Sequence, residues 1–349
     1  MNAPAGIRHY RRSPFLVLLW MSDELVLLHA DTLQRFRVQP AFLTLLSQLG
    51  EWSTAQDLST SGQTIDSDDL EQLHRMGVLE AEDDVTSCAD AKFVWDPLEL
   101  AVQRRTAYGG HWPGQTASNS PPPLRKNLPD CCCIGLPPPA PELPEPLSAV
   151  LNRRRTLRTY SERPLRIEEL STLLHHSARI VRIWSHPELG EMALRPFPSA
   201  GARSELEVYV VSEDIEGLQA GAWYYDPAGH RLLQIRPRDE HQARLLRSVS
   251  DAAGGALNRN PPAVLLITAV FERIMWKYRD LGLKLIYQDA GGLLQTLYLV
   301  ATALGLAPCA IGGADESANS RWLGLDALRE SQVACLLIGP QANAGETEP

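Results

Sequence analysis

Residues 263–305 read AVLLITAVFERIMWKYRDLGLKLIYQDAGGLLQTLYLVATALG, and the two ends of this stretch decide the fold class. Ala263–Val270 is a continuous apolar run broken only by Thr268. A run without polar alternation predicts a central strand covered on both faces. From 282 to 304 the pattern becomes helical, with apolar and small residues nearly all round. That predicts a long buried helix, closed by Gly305 as its C-cap. A buried strand followed by a buried helix means a sheet with helices packed on it.

Elements of both kinds surround this centre. A helix is predicted over 168–178, with Leu170, Leu173, Leu174 and Ala178 on one face, and another over 240–252. Strands are predicted over 206–211, 222–226, 232–235, 308–311 and 333–339. The expected architecture for 147–340 is therefore an α+β domain with a mixed sheet and a central helix. No GxGxxG follows the first strand and no GxxxxGK[ST] occurs, which excludes dinucleotide-binding Rossmann and P-loop folds.

Upstream, 110–146 is dominated by proline, which fixes φ and removes backbone donors; it reads as an extended linker. Cys131, Cys132 and Cys133 within it have neither CxxC spacing nor a histidine pair, so they read as loop cysteines and not as a metal site. Before the linker, 13–96 forms a small module. Apolar runs at 15–20 and 25–29 flank Ser22-Asp23-Glu24 as a hairpin. Helical spacing over 40–52, a possible short helix at 54–58, a helix through Leu70, Leu73 and Met76, and a returning strand at Val78-Leu79 complete it. That order suggests a winged-helix-like module. It serves either peptide recognition or packing and dimerisation.

The chain has 349 residues, 42 acidic and 33 basic side chains, a net charge of −9, 44% apolar and 21% charged residues. Such a composition buries a real core, which excludes disorder throughout. The acidic balance argues against nucleic-acid binding. No apolar stretch approaches the ~20 residues of a membrane helix, and no secretory signal is visible. Six cysteines do not build a disulfide scaffold. The expected setting is the cytoplasm, with no membrane association.

Four stretches carry chemistry. The first, 152–160 (NRRRTLRTY), concentrates Arg153, Arg154, Arg155 and Arg158 in an acidic protein. Guanidinium forks match phosphate oxygens in geometry and charge; a solvated helix end is the plainer alternative. The second, 195–202 (RPFPSAGA), is a rigid turn of small residues that lets a flat ring approach the backbone. The third, 273–279 (RIMWKYR), follows the central strand directly. Lysine and tyrosine serve as proton donors or acceptors where their surroundings favour the neutral amine or the phenolate. Adjacent helical residues point about 100° apart, so Lys277 and Tyr278 face one substrate only at a helix end or irregular turn. The fourth comprises 289–295 (DAGGLLQ) and Gly312-Gly313, whose backbone N–H groups suit a ligand.

Taken in order, RRRTLRTYSERPL at 153–165, RPFPSAGA at 195–202, LEVYVV at 206–211, EGLQAGAWYYD at 216–226, RIMWKY at 273–278, DAGGLLQ at 289–295 and ALGLAPCAIGG at 303–313 resemble the flavin-dependent nitroreductase superfamily. Within it the chain is similar to SagB-type dehydrogenases, the oxidases of azole-containing peptide pathways. The resemblance covers about 200 residues, the whole main domain. It implies a nitroreductase-like fold that binds FMN at the interface of a homodimer. It implies that Arg154, Arg155, Thr156 and Arg158 hold the FMN phosphate and ring edge, with Arg321 as a further phosphate ligand. Pro198, Ser199, Ala200 and Gly201 would lie against the ring, with Gln295, Gly312 and Gly313 near it. Lys277 and Tyr278 would be catalytic. The chain departs from that family at Arg203 and Ser204, where an aromatic residue and a proline are common. It departs again at Gly292 and Thr296, in the places of a histidine and an asparagine. These changes bear on the substrate pocket.

The resemblance implies a two-electron oxidation of thiazoline or oxazoline rings of a peptide substrate to azoles, with a cyclodehydratase or carrier protein as a partner. A base removes the Cα proton while hydride leaves the adjacent ring carbon for the flavin. Tyr278, its phenolate favoured by neighbouring Lys277, is the expected base, and a desolvated Lys277 the alternative. Two other functions fit the same residues: a generalist NAD(P)H-dependent nitro or quinone reductase, and a non-catalytic scaffold in a peptide-modifying complex.

Overall fold

The computed structural model describes residues 8–60, 65–83, 95–107, 120–126, 132–313 and 315–342, in two compact units, Met1–Gly110 and His111–Pro349. The first contains β1 (Tyr10–Arg12), β2 (Leu16–Met21), β3 (Glu24–His29), β4 (Arg35–Arg37), α1 (Pro40–Gln48), α2 (Ala55–Thr60), α3 (Ser67–Arg75), β5 (Leu79–Ala81) and α4 (Pro97–Ala107). The expected hairpin is β2–β3, extended by β4, while β5 returns to pair with β1. Asp66 begins α3 with a reciprocal capping box to Asp69, satisfying helix donors that have no partner of their own. Leu27, Leu45, Leu46, Leu49, Leu58, Leu70, Val78 and Leu79 form this unit's core.

The second unit runs β6 (Cys133–Gly135), α5 (Leu147–Arg153), β7 (Leu165–Arg166), α6 (Ile167–Ala178), β8 (Arg182–His186), β9 (Gly190–Leu194), β10 (Leu206–Ser212), β11 (Ile215–Glu216), β12 (Gly221–Asp226), β13 (Arg231–Pro237), α7 (Glu240–Ala252), β14 (Ala263–Val270), α8 (Phe271–Tyr278), α9 (Gly282–Ala303), β15 (Leu306–Ile311), α10 (Glu316–Trp322) and β16 (Glu330–Pro340). Seven strands form one sheet in the order β15-β16-β14-β10-β12-β13-β6. The α+β class holds, and the sheet is more uniform than a mixed one: every neighbouring pair in it is antiparallel. The helical crossover after β14 does place β15 parallel to it, but β16 inserts between them. Parallel pairing is confined to the short β7 and β11.

All eight residues of β14 are buried, as its unbroken apolar run requires. One face of the sheet packs against α6 and α9 through Leu170, Leu173, Leu174, Leu293 and Leu297. The other packs against α7 and α10 through Leu245, Leu246, Val249 and Trp322. The helix α9 is not buried all round. Lys284, Tyr287, Gln288, Gly291 and Gln295 form an exposed stripe, because one flank of α9 has no neighbouring element in this unit.

Among its described residues, the proline-rich segment holds one strand. Its β6 sits at the sheet edge, where a missing ladder donor costs least. Cys133 lies in β6 and Cys132 just before it, both exposed; Cys131 lies outside the described residues. The short elements α5, β8, β9, α8 and α10 are too brief or too exposed to show a strong period in sequence.

Candidate active site

The predicted residues gather at two places along α9. At the first, the turn after β9 carries Pro198, Ser199, Ala200 and Gly201 ahead of β10. Its backbone is left-handed at Gly201 (φ 60°), Ala202 (φ 55°) and Ser204 (φ 53°), a tight reversal that brings the chain back toward the sheet. Lys277 and Tyr278 are the last two residues of α8, so regular helical divergence stops there. Both side chains reach Gly201. A Cβ built on that glycine would lie 2.8 Å from Tyr278 Oη and 3.1 Å from Lys277 Nζ. The ammonium sits 5.1 Å from the centre of the Tyr278 ring. Both residues are half-buried, which leaves them reachable by a substrate.

Gly292 of α9 closes this place from the other side. A Cβ there would stand 2.8 Å from Pro198 Cγ, so the missing side chain lets helix and turn touch. Thr296, one turn on, donates to the Gly292 carbonyl at 2.8 Å.

The second place is six residues along α9, about 9 Å at 1.5 Å per residue. Here Tyr298 of α9 receives the arginine segment. Thr156 Oγ1 lies 3.1 Å from Tyr298 Oη, which also accepts from the Ala310 N–H at 2.7 Å. The Arg154 guanidinium stands 5.6 Å from the Tyr298 ring centre. The backbone of Leu157 bonds to Pro308 of β15, and Arg158 reaches Cys309 of the same strand. Arg155 and Arg158 are exposed, and Arg153 is engaged by Glu145. Among the described residues no carboxylate pairs with Arg154, Arg155 or Arg158. Beyond β15 lie Gly312 and Gly313, both exposed.

Two predicted ligands share no hydrogen bond with either place among the described residues. Arg321 is exposed on α10 and donates to Ser317 of its own helix at 2.6 Å. Gln295 belongs to the exposed stripe of α9. Arg203 and Ser204 are buried rather than pocket-lining. Arg203 donates to the carbonyls of Leu189, Glu191 and Pro122 at 2.8, 3.0 and 2.9 Å, tying the β8–β9 hairpin to the turn. Arg195 donates to Ser204 Oγ at 2.5 Å, and Arg273 pairs with Glu207 at 2.7 Å, both in the interior. A charged cavity of about 430 Å³ lined by Lys126, Arg195, Glu207, Tyr224, Asp226 and Arg231 contains none of the predicted site residues.

Sequence reasoning assigned no role to Glu205 or Asp289. Asp289 sits inside the quoted DAGG segment, and Glu205 opens the apolar LEVYVV strand. A charged residue at the mouth of a buried strand is the signal that would have found it.

The model of the nitroreductase family matches residues 151–339, more than half of the chain. The chain belongs to the nitroreductase family. A nitroreductase-named protein of Methanocaldococcus jannaschii is 31% identical over 166 residues, 48% of this chain and 78% of the relative. The microcin B17-processing protein McbC of Escherichia coli is 30% identical over 163 residues, 46% of this chain and 57% of its own length. The trifolitoxin-processing protein TfxB of Rhizobium leguminosarum is 28% identical over 188 residues, 51% of this chain and 48% of its own. The chain thus spans about half the length of both processing proteins. A nitroreductase structure from Anabaena variabilis matches with a TM-score of 0.53 at 23% identity, covering 72% of this chain and 49% of that one, and supports the fold. The nitroreductase match spans the arginine segment, the 198–201 turn, Lys277, Tyr278 and all of α9. It excludes the first unit. Among the described residues, no helix of this chain is long and apolar enough to cross a membrane.

Proposed function

We propose that this nitroreductase-family protein is an FMN-dependent dehydrogenase of a peptide or peptide-like substrate, oxidising thiazoline or oxazoline rings to azoles during natural-product maturation. The observation that carries the reading is the convergence of Lys277 Nζ and Tyr278 Oη on Gly201. A lysine–tyrosine pair at a half-buried backbone turn is suited to taking a proton from carbon, and a plain electron shuttle has no use for one. The two processing relatives support a role in peptide maturation.

The residues fit FMN. Arg154, Arg155 and Arg158, with no carboxylate paired to them among the described residues, suit its phosphate, with Thr156 beside them. Ser199, Ala200 and Gly201 carry side chains small enough for a flat ring to approach the backbone, and α9 bridges the two places. Gly312 and Gly313 offer exposed backbone beyond β15. FMN when bound supplies the hydride acceptor. The chain's part is to hold the substrate over the turn, exclude water and receive the proton at Tyr278 Oη, with Lys277 Nζ beside it at the same glycine. The exposed stripe of α9, with exposed Leu147 and Leu151 on the adjoining α5, supports a homodimer built on this face. The first unit, winged-helix-like in its order of elements, would grip the peptide or a partner protein.

The test is Lys277→Ala. The purified variant is expected to keep its flavin colour while a cyclised peptide no longer loses two hydrogens in its mass spectrum. A flavin-loaded Lys277→Ala protein of full activity overturns the assignment. Rapid bleaching of the wild-type flavin by NAD(P)H alone, with no mass change in the peptide, would show a reductase instead.

A further inference from the structure

Beneath the 198–201 turn lie two carboxyl groups that the proposed chemistry does not use. Glu205 is completely buried at the entrance to β10, and Asp289 of α9 is 6% exposed. Both are bonded to the turn. The Ser199 hydroxyl donates to Glu205 Oε2 at 2.7 Å and accepts from the Ser204 N–H at 2.8 Å. The Ala200 N–H donates to Asp289 Oδ2 at 2.6 Å. The two carboxyls, tied to successive residues of one turn, are near enough to act on each other's charge.

The remaining oxygen, Glu205 Oε1, is buried and receives no N–H or O–H donor among the described residues. A buried carboxylate oxygen without a donor is costly, and two neighbouring buried carboxylates resist being ionised together near neutral pH. One arrangement relieves both costs. Asp289 keeps its charge, stabilised by the Ala200 N–H. Glu205 keeps the proton on Oε1 and donates it to Asp289, while its other oxygen accepts from Ser199.

We propose that Glu205 and Asp289 share one proton and act as a paired positioning group that holds the 199–202 turn against Lys277 and Tyr278. This rests on the reading of that turn as part of the oxidoreductase site. The groups around the pair are accounted for. Lys277 and Tyr278 of α8 meet the turn at Gly201. Arg195 is directed to Ser204 Oγ, while Arg273 binds the Ser204 carbonyl and Glu207. Burial, then Asp289, pushes Glu205 up to about 8, and burial raises Asp289 as well. Near neutral pH the pair therefore carries one charge. Above about 8 a second charge enters a buried space, the carboxyl–carboxylate bond is lost and the turn loosens.

The experiment uses the full-length purified protein and two readouts across pH 6–10. The first is the infrared C=O stretch of a protonated carboxyl; the second is the visible band of bound flavin together with kcat and KM. In the wild type the stretch is expected at neutral pH and should vanish with a midpoint near 8. The flavin band should shift and kcat fall over the same range, with KM changed by less than about threefold. Glu205→Gln retains a donor for Asp289 and an acceptor for Ser199 but cannot ionise. It should lose the stretch and the alkaline transition while retaining flavin. Asp289→Asn removes the charge and should move the transition to lower pH. Glu205→Ala should lower kcat about tenfold or more at neutral pH.

An unchanged alkaline transition in Glu205→Gln overturns the proposal, as does wild-type kcat with an unaltered flavin band in Glu205→Ala. Failure of the proposed function looks different: a wild type that binds no flavin yet shows the stretch keeps the shared proton and removes the oxidoreductase reading. Should Glu205→Gln not fold, the direction of the Asp289→Asn shift decides.

Discussion

At Gly201 the backbone has φ of 60°, where side chains are disfavoured, and the space a Cβ would need is held by Tyr278 Oη and Lys277 Nζ. Gly201→Ala is therefore expected to cost about 1–2 kcal/mol of stability. It should also displace the lysine–tyrosine pair, lowering turnover more than the loss of stability explains. Thermal melts beside kcat at matched folded fraction check this; a variant with wild-type kcat would show that the pair does not work at this turn. Arg203 illustrates a different constraint. In sequence it stands out as a departure from the related enzymes, and residue type alone reads as a change of pocket. Its burial and its bonds to Leu189, Glu191 and Pro122 show a tether between hairpin and turn. Planar guanidinium makes such divergent bonds to carbonyls, and lysine does not.

Among the elements, α9 determines the spacing of the site. Gly292 meets Pro198 at one place and Tyr298 meets Thr156 and Ala310 at the other, so one rigid helix sets the span between turn and arginines. Gly292→Leu is expected to force turn and helix apart, because the inserted side chain meets a proline ring that has no rotamer to yield. A destabilisation of about 1–3 kcal/mol follows, with weakened flavin retention. Equilibrium unfolding and flavin content after gel filtration report on the two effects, and a variant that keeps both would remove α9 from its spacing role. The helix α8 contributes by ending. Had it continued past Tyr278, Lys277 and Tyr278 would point in different directions.

For the whole molecule, buried titratable groups predict a pH profile of stability. Burial holds His175 down to about 4, with Arg179, His230 and His176 adding to the effect, and burial also lowers His230 and His29. The unfolded chain binds protons at these histidines below about 6.5 while the folded chain does not, so they withdraw stability as pH falls from about 6.5 toward 4. Glu205 has the opposite sign. The folded protein keeps its proton up to about 8, whereas the unfolded chain releases it near 4.5, so stability falls as pH rises between these values. The two slopes oppose each other between about 4.5 and 6.5, and only that of Glu205 remains above. Melting temperature is expected to hold across the middle range, decline from about pH 6.5 to 8, and flatten in Glu205→Gln. A Glu205→Gln protein with the wild-type alkaline decline would contradict the buried-proton account.

Much of this was legible in one dimension. The helix over 240–252 and the strand over 263–270 have the expected bounds because hydrophobic period and flanking turn residues act locally. The arginine cluster, the Pro-Ser-Ala-Gly turn and the lysine–tyrosine pair were likewise visible as residue types in order. Their assembly was not. That Lys277 and Tyr278 both reach Gly201, that Arg203 is interior, and that Glu205 and Asp289 hold successive residues of one turn all follow from contacts between segments far apart in the chain. Composition and period say which face of an element is buried, but not which partner it is buried against. Only the packed sheet, with α8 ending where it does and α9 laid across the turn, brings these groups together and takes away the water that would otherwise keep two carboxyls charged.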